Sequence, residues 1–163
     1  MAKNGGEWPY QVAMPVAENV VALLGPYCER IEIAGSLRRK RPVVHDIDIV
    51  AQPREGQELA MQMALGFAEE ARFAPKIWSL KCGGISVDLY LAGPEQFATL
   101  LLVRTGSWKH NIALASRARA MGLALKASGD GIFRDEERVA WESEKALFQA
   151  LGMEYIEPEA REV

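Results

Sequence analysis

The 163 residues, 49% of them hydrophobic, suffice for one respectable core or two small subdomains but not for a large multidomain enzyme. No apolar run approaches the roughly 18 residues of a membrane span. The opening MAKNGGEWPY also lacks the basic-then-apolar layout of a secretion signal, so a soluble, intracellular, cytoplasmic protein without a membrane partner is expected. The net charge of −3 is not that of a dedicated nucleic-acid binder, yet the charge is unevenly spread. Arg104, Lys109, Arg117, Arg119 and Lys126 follow one another with no acid between them, Arg38-Arg39-Lys40-Arg41 is a second basic block, and acids dominate from Asp130 onward. Such a chain can bind nucleic acid on one face and stay soluble through the rest. Cys28 and Cys82 read as buried thiols of a reducing compartment, with no chemistry assigned.

In chain order, Val16, Val20, Val21 and Leu24 recur at helical spacing and predict a helix over 15–24, stopped by Gly25-Pro26. Strands are predicted over 30–34 and 47–51, separated by Gly35-Ser36 and a basic loop, then a helix over about 56–71. Residues 77–81 and 85–91 flank Cys82-Gly83-Gly84, the turn chemistry of a hairpin. Ala92-Gly93-Pro94 marks the boundary between an expected first unit, 1–92, and a second, 93–163. The second unit reads as almost wholly helical, with helices over about 95–103, 108–121 and 144–151, the last capped by Ser143. The expected class is α/β in the broad sense, of α+β type: a small mixed sheet with helices, then a mainly helical subdomain.

Residues two apart in a strand share a face, so Asp46 and Asp48 present paired carboxylates while Ile47 faces the core. Such a pair suits a hard cation, Mg²⁺ or Mn²⁺ rather than zinc. A bare Asp-x-Asp is also what a solvated strand face looks like. The neighbouring turn adds what that reading lacks: Gly35 allows close backbone approach, Ser36 offers a hydroxyl, and Arg39 can clamp phosphate oxygens. Asp88 lies opposite Val87, Leu89 and Leu91 in another alternating strand and adds a third carboxylate, suited to a two-metal phosphoryl-transfer site and to orienting or deprotonating a hydroxyl nucleophile. His45 and His110 read as a loop histidine and a packed helix-start histidine, and no His/Cys spacing suggests zinc.

Gly35-Ser36-Leu37-Arg38-Arg39, then Asp46-Ile47-Asp48, then Val87-Asp88-Leu89 resemble the palm of X-family DNA polymerases within the nucleotidyltransferase superfamily. The resemblance continues through Pro94-Glu95-Gln96-Phe97, Thr105-Gly106-Ser107, His110-Asn111-Ile112-Ala113-Leu114 and the closing Leu151-to-Ile156 stretch with Pro158 and Arg161, which are similar to that family's C-terminal nucleotide-selection subdomain. It implies that Asp46, Asp48 and Asp88 hold two Mg²⁺ ions, Mn²⁺ substituting, and that Gly35, Ser36 and Arg39 contact the triphosphate. It also implies a cis Gly106-Ser107 turn under the sugar, Trp108 against the base and Asn111 at its minor-groove edge. Deoxynucleotide addition to a primer 3′-hydroxyl in short-gap repair follows, by a monomer whose weak DNA contacts rest on Arg104, Lys109, Arg117, Arg119 and the Arg38-to-Arg41 block.

Departures from the family pattern bear on selectivity. Val103-Arg104 stand where the family has an aromatic pair that helps exclude ribonucleotides, Tyr90 stands where it often has arginine, Lys126-Ala127-Ser128 replace Asn-Glu-Tyr, and Trp8 stands for a triphosphate-holding arginine. No segment for a lyase domain or a DNA clamp is recognised. A template-independent terminal transferase or a small-molecule nucleotidyltransferase therefore remains an alternative, and a catalytically silent nucleic-acid binding module a more distant one.

Overall fold

Residues 6–162 are described by the computed structural model; the first five residues of the opening stretch read above for a secretion signal lie outside them, as does Val163. A two-residue strand β1 (Trp8–Pro9) leads directly into α1 (Tyr10–Leu24), five residues earlier than predicted. Pro15 therefore sits inside the helix rather than opening it, at the loss of one backbone hydrogen bond. Ala13, Ala17, Val20 and Leu24, spaced four, three and four apart, form a fully buried stripe whose packing offsets that loss.

After a 3₁₀ turn at Gly25–Tyr27 come β2 (Cys28–Ile33), the single helical turn α2 (Gly35–Arg38), β3 (Val43–Val44), which pairs with β1, and β4 (Ile47–Pro53). The helix predicted over 56–71 is in fact α3 (Glu58–Ala64), which ends where Leu65 and Gly66 fold back on Met61, Gln62 and Met63, followed by an edge strand β5 (Glu70–Phe73). All four residues of β5 are exposed, so no apolar alternation announced it. The hairpin β6 (Ile77–Cys82) and β7 (Ile85–Leu91) turns at Gly83-Gly84 as expected.

These strands form a five-stranded sheet in the order β2-β4-β7-β6-β5, mixed because β4 and β7 run parallel while the other pairs are antiparallel. One face carries Ile47, Ile49, Val87, Leu89 and Leu80 into a core with α1 and α3. On the other face Val50 and Tyr90 pack with Phe97, Leu100 and Leu101 of α4 (Phe97–Thr105), in a cluster drawn from both sides of the 92/93 position. Lying between this face and a second core, α4 is buried almost all round.

The C-terminal part departs from the all-helical expectation. Between α5 (Trp108–Ala120) and α6 (Glu144–Ala150) lies a three-stranded antiparallel sheet of β8 (Ala124–Lys126), β9 (Gly131–Arg134) and β10 (Glu137–Ala140). Strands of three or four residues, rich in charge, give too few apolar positions for a period to register. Gly131, at φ 106°, is required there because a Cβ would drive into the Ala140 carbonyl of the neighbouring strand. Ser143 caps α6 as predicted, accepting from the Ala146 amide at 3.0 Å. Leu102, Leu114, Ala118, Ile132, Ala140, Leu147, Phe148 and Leu151 make the second core. No helix among the described residues is long and apolar enough to cross a membrane.

Candidate active site

Register does most of the positioning. In the parallel β4/β7 pair, Asp48 is the partner of Asp88, flanked by the Ile47/Val87 and Ile49/Leu89 pairs whose side chains enter the core. The two half-buried carboxylates therefore stand side by side on the face that α4 leaves uncovered. Asp46 is half-buried at the bend before β4 rather than inside the strand.

A cavity of about 500 Å³ opens over Asp46 and Asp48, walled by Gly35, Ser36 and Arg39 from the α2 turn, by Gly106, Ser107, Trp108 and Asn111 from the start of α5, and by Tyr90 and Arg104. Asp88 lies beside this group but does not line the cavity. Gly35 has φ 62°, and a Cβ there would collide with the Asp48 carboxylate, so only glycine lets the α2 turn lie this close to the strand. Tyr90 donates its hydroxyl to Asp48 Oδ1 at 3.3 Å, and Ser79 donates to Asp88 Oδ1 at 3.1 Å. Sequence reading assigned neither donor a place in the site, although the turn register of the hairpin, which sets Cys82 against Ile85, also sets Ser79 against Asp88.

No group of three or more His, Cys, Asp or Glu side chains among the described residues is gathered tightly enough to hold a metal ion by itself. The donor set is nevertheless of the kind a small hard cation uses: Mg²⁺ is commonly held by one or two carboxylates and completed by water and substrate phosphates. The Gly35 turn, shaped to the Asp48 carboxylate, leaves that carboxylate facing the cavity.

The far wall is built on a cis Gly106-Ser107 peptide, as the resemblance implied. The Ser107 amide donates to the Arg161 carbonyl at 2.7 Å, and its hydroxyl accepts from the His110 amide to start α5. Trp108 is 75% exposed at the cavity mouth rather than packed in the core. Asn111 donates to the Val103 carbonyl at 2.8 Å, which leaves its Oδ1 buried without a hydrogen-bond partner. Buried polar atoms of this kind are few in native proteins, and one lining a cavity is a natural point for a ligand donor.

The expected cations divide. Arg39 donates Nε to Glu162 at 2.8 Å and Nη1 to the Thr105 carbonyl at 2.6 Å. Arg104 stacks over the Tyr90 ring at 4.2 Å and faces the cavity. Arg117 donates to the Leu151 and Gly152 carbonyls and so caps α6, while Lys109 and Arg119 are exposed on α5. Trp8 packs beside Gly84 at the hairpin turn rather than lining the cavity. His45 is an exposed loop residue at the cavity edge, and His110 is buried against Phe148.

Behind the site lies a network that sequence reading missed. Glu144 accepts both guanidinium nitrogens of Arg38 at 2.8 Å and Nη1 of the fully buried Arg161 at 2.8 Å, and Arg38 also reaches the Thr105 hydroxyl. Burial pushes the Glu144 carboxyl up, but the hydrogen bonds and charges of the two arginines outweigh it and hold the group below its ordinary range. This network ties the α2 turn to α6 and, through the Thr105 hydroxyl and the Arg161 carbonyl that accepts the Ser107 amide, to the Gly106-Ser107 wall of the cavity.

Residues 100–162 match the family model for the DNA polymerase beta thumb. Across 98% of the chain the sequence is 28% identical to the DNA polymerase/3'-5' exonuclease PolX of Bacillus subtilis, of whose length the aligned part spans 29%. The second match carries the likeness back through the carboxylate-bearing sheet that the first leaves uncovered, so the chain is similar to DNA polymerases along nearly its whole length.

Proposed function

We propose that the protein is a nucleotidyltransferase of the DNA polymerase type that adds deoxynucleotides to a primer 3′-hydroxyl at short gaps, with 1–92 as palm and 93–163 as nucleotide-selection subdomain. The observation that carries the reading is the in-register Asp48–Asp88 pair beside a cavity walled by a Ser36/Arg39 turn on one side and an exposed Trp108 on the other. In this reading Asp46, Asp48 and Asp88 hold Mg²⁺, or Mn²⁺ in its place, and bound ions supply neutralisation of charge on the triphosphate and the attacking oxygen. Ser36 and Arg39 bind phosphate oxygens, the Gly106-Ser107 turn supports the sugar, Trp108 stacks on the base and Asn111 Oδ1 accepts from its edge. Asp88 orients the primer hydroxyl. The 3′-hydroxyl oxygen forms the new bond to the α-phosphorus as the bond to pyrophosphate breaks, and the hydroxyl proton passes through the Asp88 carboxylate to solvent. The protein works as a monomer on gapped DNA, inside the cell, with Lys109 and Arg119 among its phosphate contacts.

The test is extension of a labelled primer, alone and annealed across a one-nucleotide gap, with Mg²⁺ and each deoxynucleotide separately. Addition of the complementary nucleotide only, and only on the gapped duplex, is expected. Indiscriminate extension of the single strand would instead make the protein a terminal transferase, and label entering a small acceptor would remove DNA as its substrate.

A further inference from the structure

Arg39 is the guanidinium nearest to being a phosphate clamp, yet one edge of its fork is already taken by a carboxylate, Glu162 Oε1 at 2.8 Å from Nε. Surface ion pairs of this length are often incidental. This one is not free to drift, because its neighbour in sequence, Arg161, is fully buried on Glu144, donates Nε to the Ile156 carbonyl, and accepts the Ser107 amide on its own carbonyl. The same segment sets Glu159 on Lys40 at 2.7 Å and brings Glu162 within 3.9 Å of Arg41. The segment after Pro158 thus lays two carboxylates along the basic block, and one of them, Glu162, sits on the two arginines of that block that line the cavity.

We propose that Glu162 is a specificity-determining residue: an internal carboxylate that occupies part of the Arg39 fork and that a polyphosphate must displace, so that weakly charged phosphoanions are turned away. A guanidinium fork binds a carboxylate and a phosphate with the same geometry, and the two compete for the same N–H groups. An anion bearing several charges gains enough from Arg39 and Arg41 to expel Glu162, whereas a monophosphate does not. If Glu162 merely held Arg39 in place for phosphate, the consequence of removing it would have the opposite sign.

The inference rests on the reading of the cavity as a polyphosphate site, and the experiment separates the two. Binding of inorganic tripolyphosphate and of orthophosphate is measured by titration calorimetry on the full chain, wild type and the Glu162→Gln, Arg39→Gln and double variants, with thermal midpoints recorded for each. Glu162→Gln is expected to bind tripolyphosphate at least fivefold more tightly and to admit orthophosphate, and the gain should vanish in the Arg39→Gln background. Unchanged or weaker tripolyphosphate binding by Glu162→Gln overturns the proposal, as does a gain that persists without Arg39. Arg39→Gln binding as well as wild type would overturn the reading of the cavity itself.

Discussion

Replacing Glu144 with Ala or Gln is predicted to be among the most damaging single changes in the chain. Glu144 is 9% exposed and is shared by Arg38 and Arg161, the second of which has no exposure at all. Its removal leaves two guanidinium groups without their counter-charge, one of them fully buried. Breaking a buried pair from one side typically costs about 3 to 5 kcal/mol, because the remaining charge loses its compensation. For a chain of this size a loss of that order lowers the thermal midpoint by roughly 6 to 20 °C. Calorimetry and urea unfolding at neutral pH read the change directly. The sign with pH also follows: a carboxyl held below its ordinary value of 4.5 contributes stability that is complete above that value and is lost as the pH falls through the lower folded one. The gap between wild type and Glu144→Gln should therefore close on acidification below 4.5 and stay constant above it. A loss under about 1 kcal/mol at neutral pH, the worth of an exposed pair, would refute the reasoning.

Other consequences are testable on the same footing. Burial pushes the Cys28 thiol up to about 11, with Arg54 opposing only in part, so a disulfide reagent at pH 8 should react with neither thiol in the folded chain and with both in urea; fast native labelling would contradict this. Trp108→Ala should leave the thermal midpoint unchanged and weaken nucleotide binding about tenfold, the worth of one base stacked on an aromatic ring; calorimetric titration that finds equal affinity would remove the indole from the site. On α5, Lys109→Ala and Arg119→Ala should each flatten the salt dependence of DNA affinity by about one unit of slope, whereas Arg117→Ala should act on unfolding instead, since its guanidinium caps α6. Equal salt effects from all three would show that Arg117 leaves its cap to meet DNA.

How much was legible depended on where each signal lay. The Asp88 strand alternates from Ile85 to Leu89 and the Asp48 strand keeps Ile47, Ile49 and Ala51 on one buried face, so both strands and the outward turn of their carboxylates were legible in the sequence, whereas the register that sets Asp48 against Asp88 was not. The small second sheet was hidden because β8, β9 and β10 are too short for a period and their one glycine, Gly131, serves close approach rather than simple punctuation. Edge strand β5 was hidden because both its faces meet solvent. The arginines illustrate the limit best. Arg38, Arg39 and Arg117 look alike in a basic run, but one is paired with Glu144, one with Glu162 and one with backbone carbonyls at a helix end. Those partners are between 34 and 123 residues away, and nothing local in the sequence names them.

The most direct test of the central claim is single-nucleotide addition to a gapped primer by wild type, Asp48→Asn and Asp88→Asn, with Mg²⁺ present and DNA binding measured alongside. Template-directed addition by wild type and its loss in both variants, with DNA affinity retained, is the predicted result. Addition that survives in either variant would show that the in-register carboxylate pair is not where the chemistry happens.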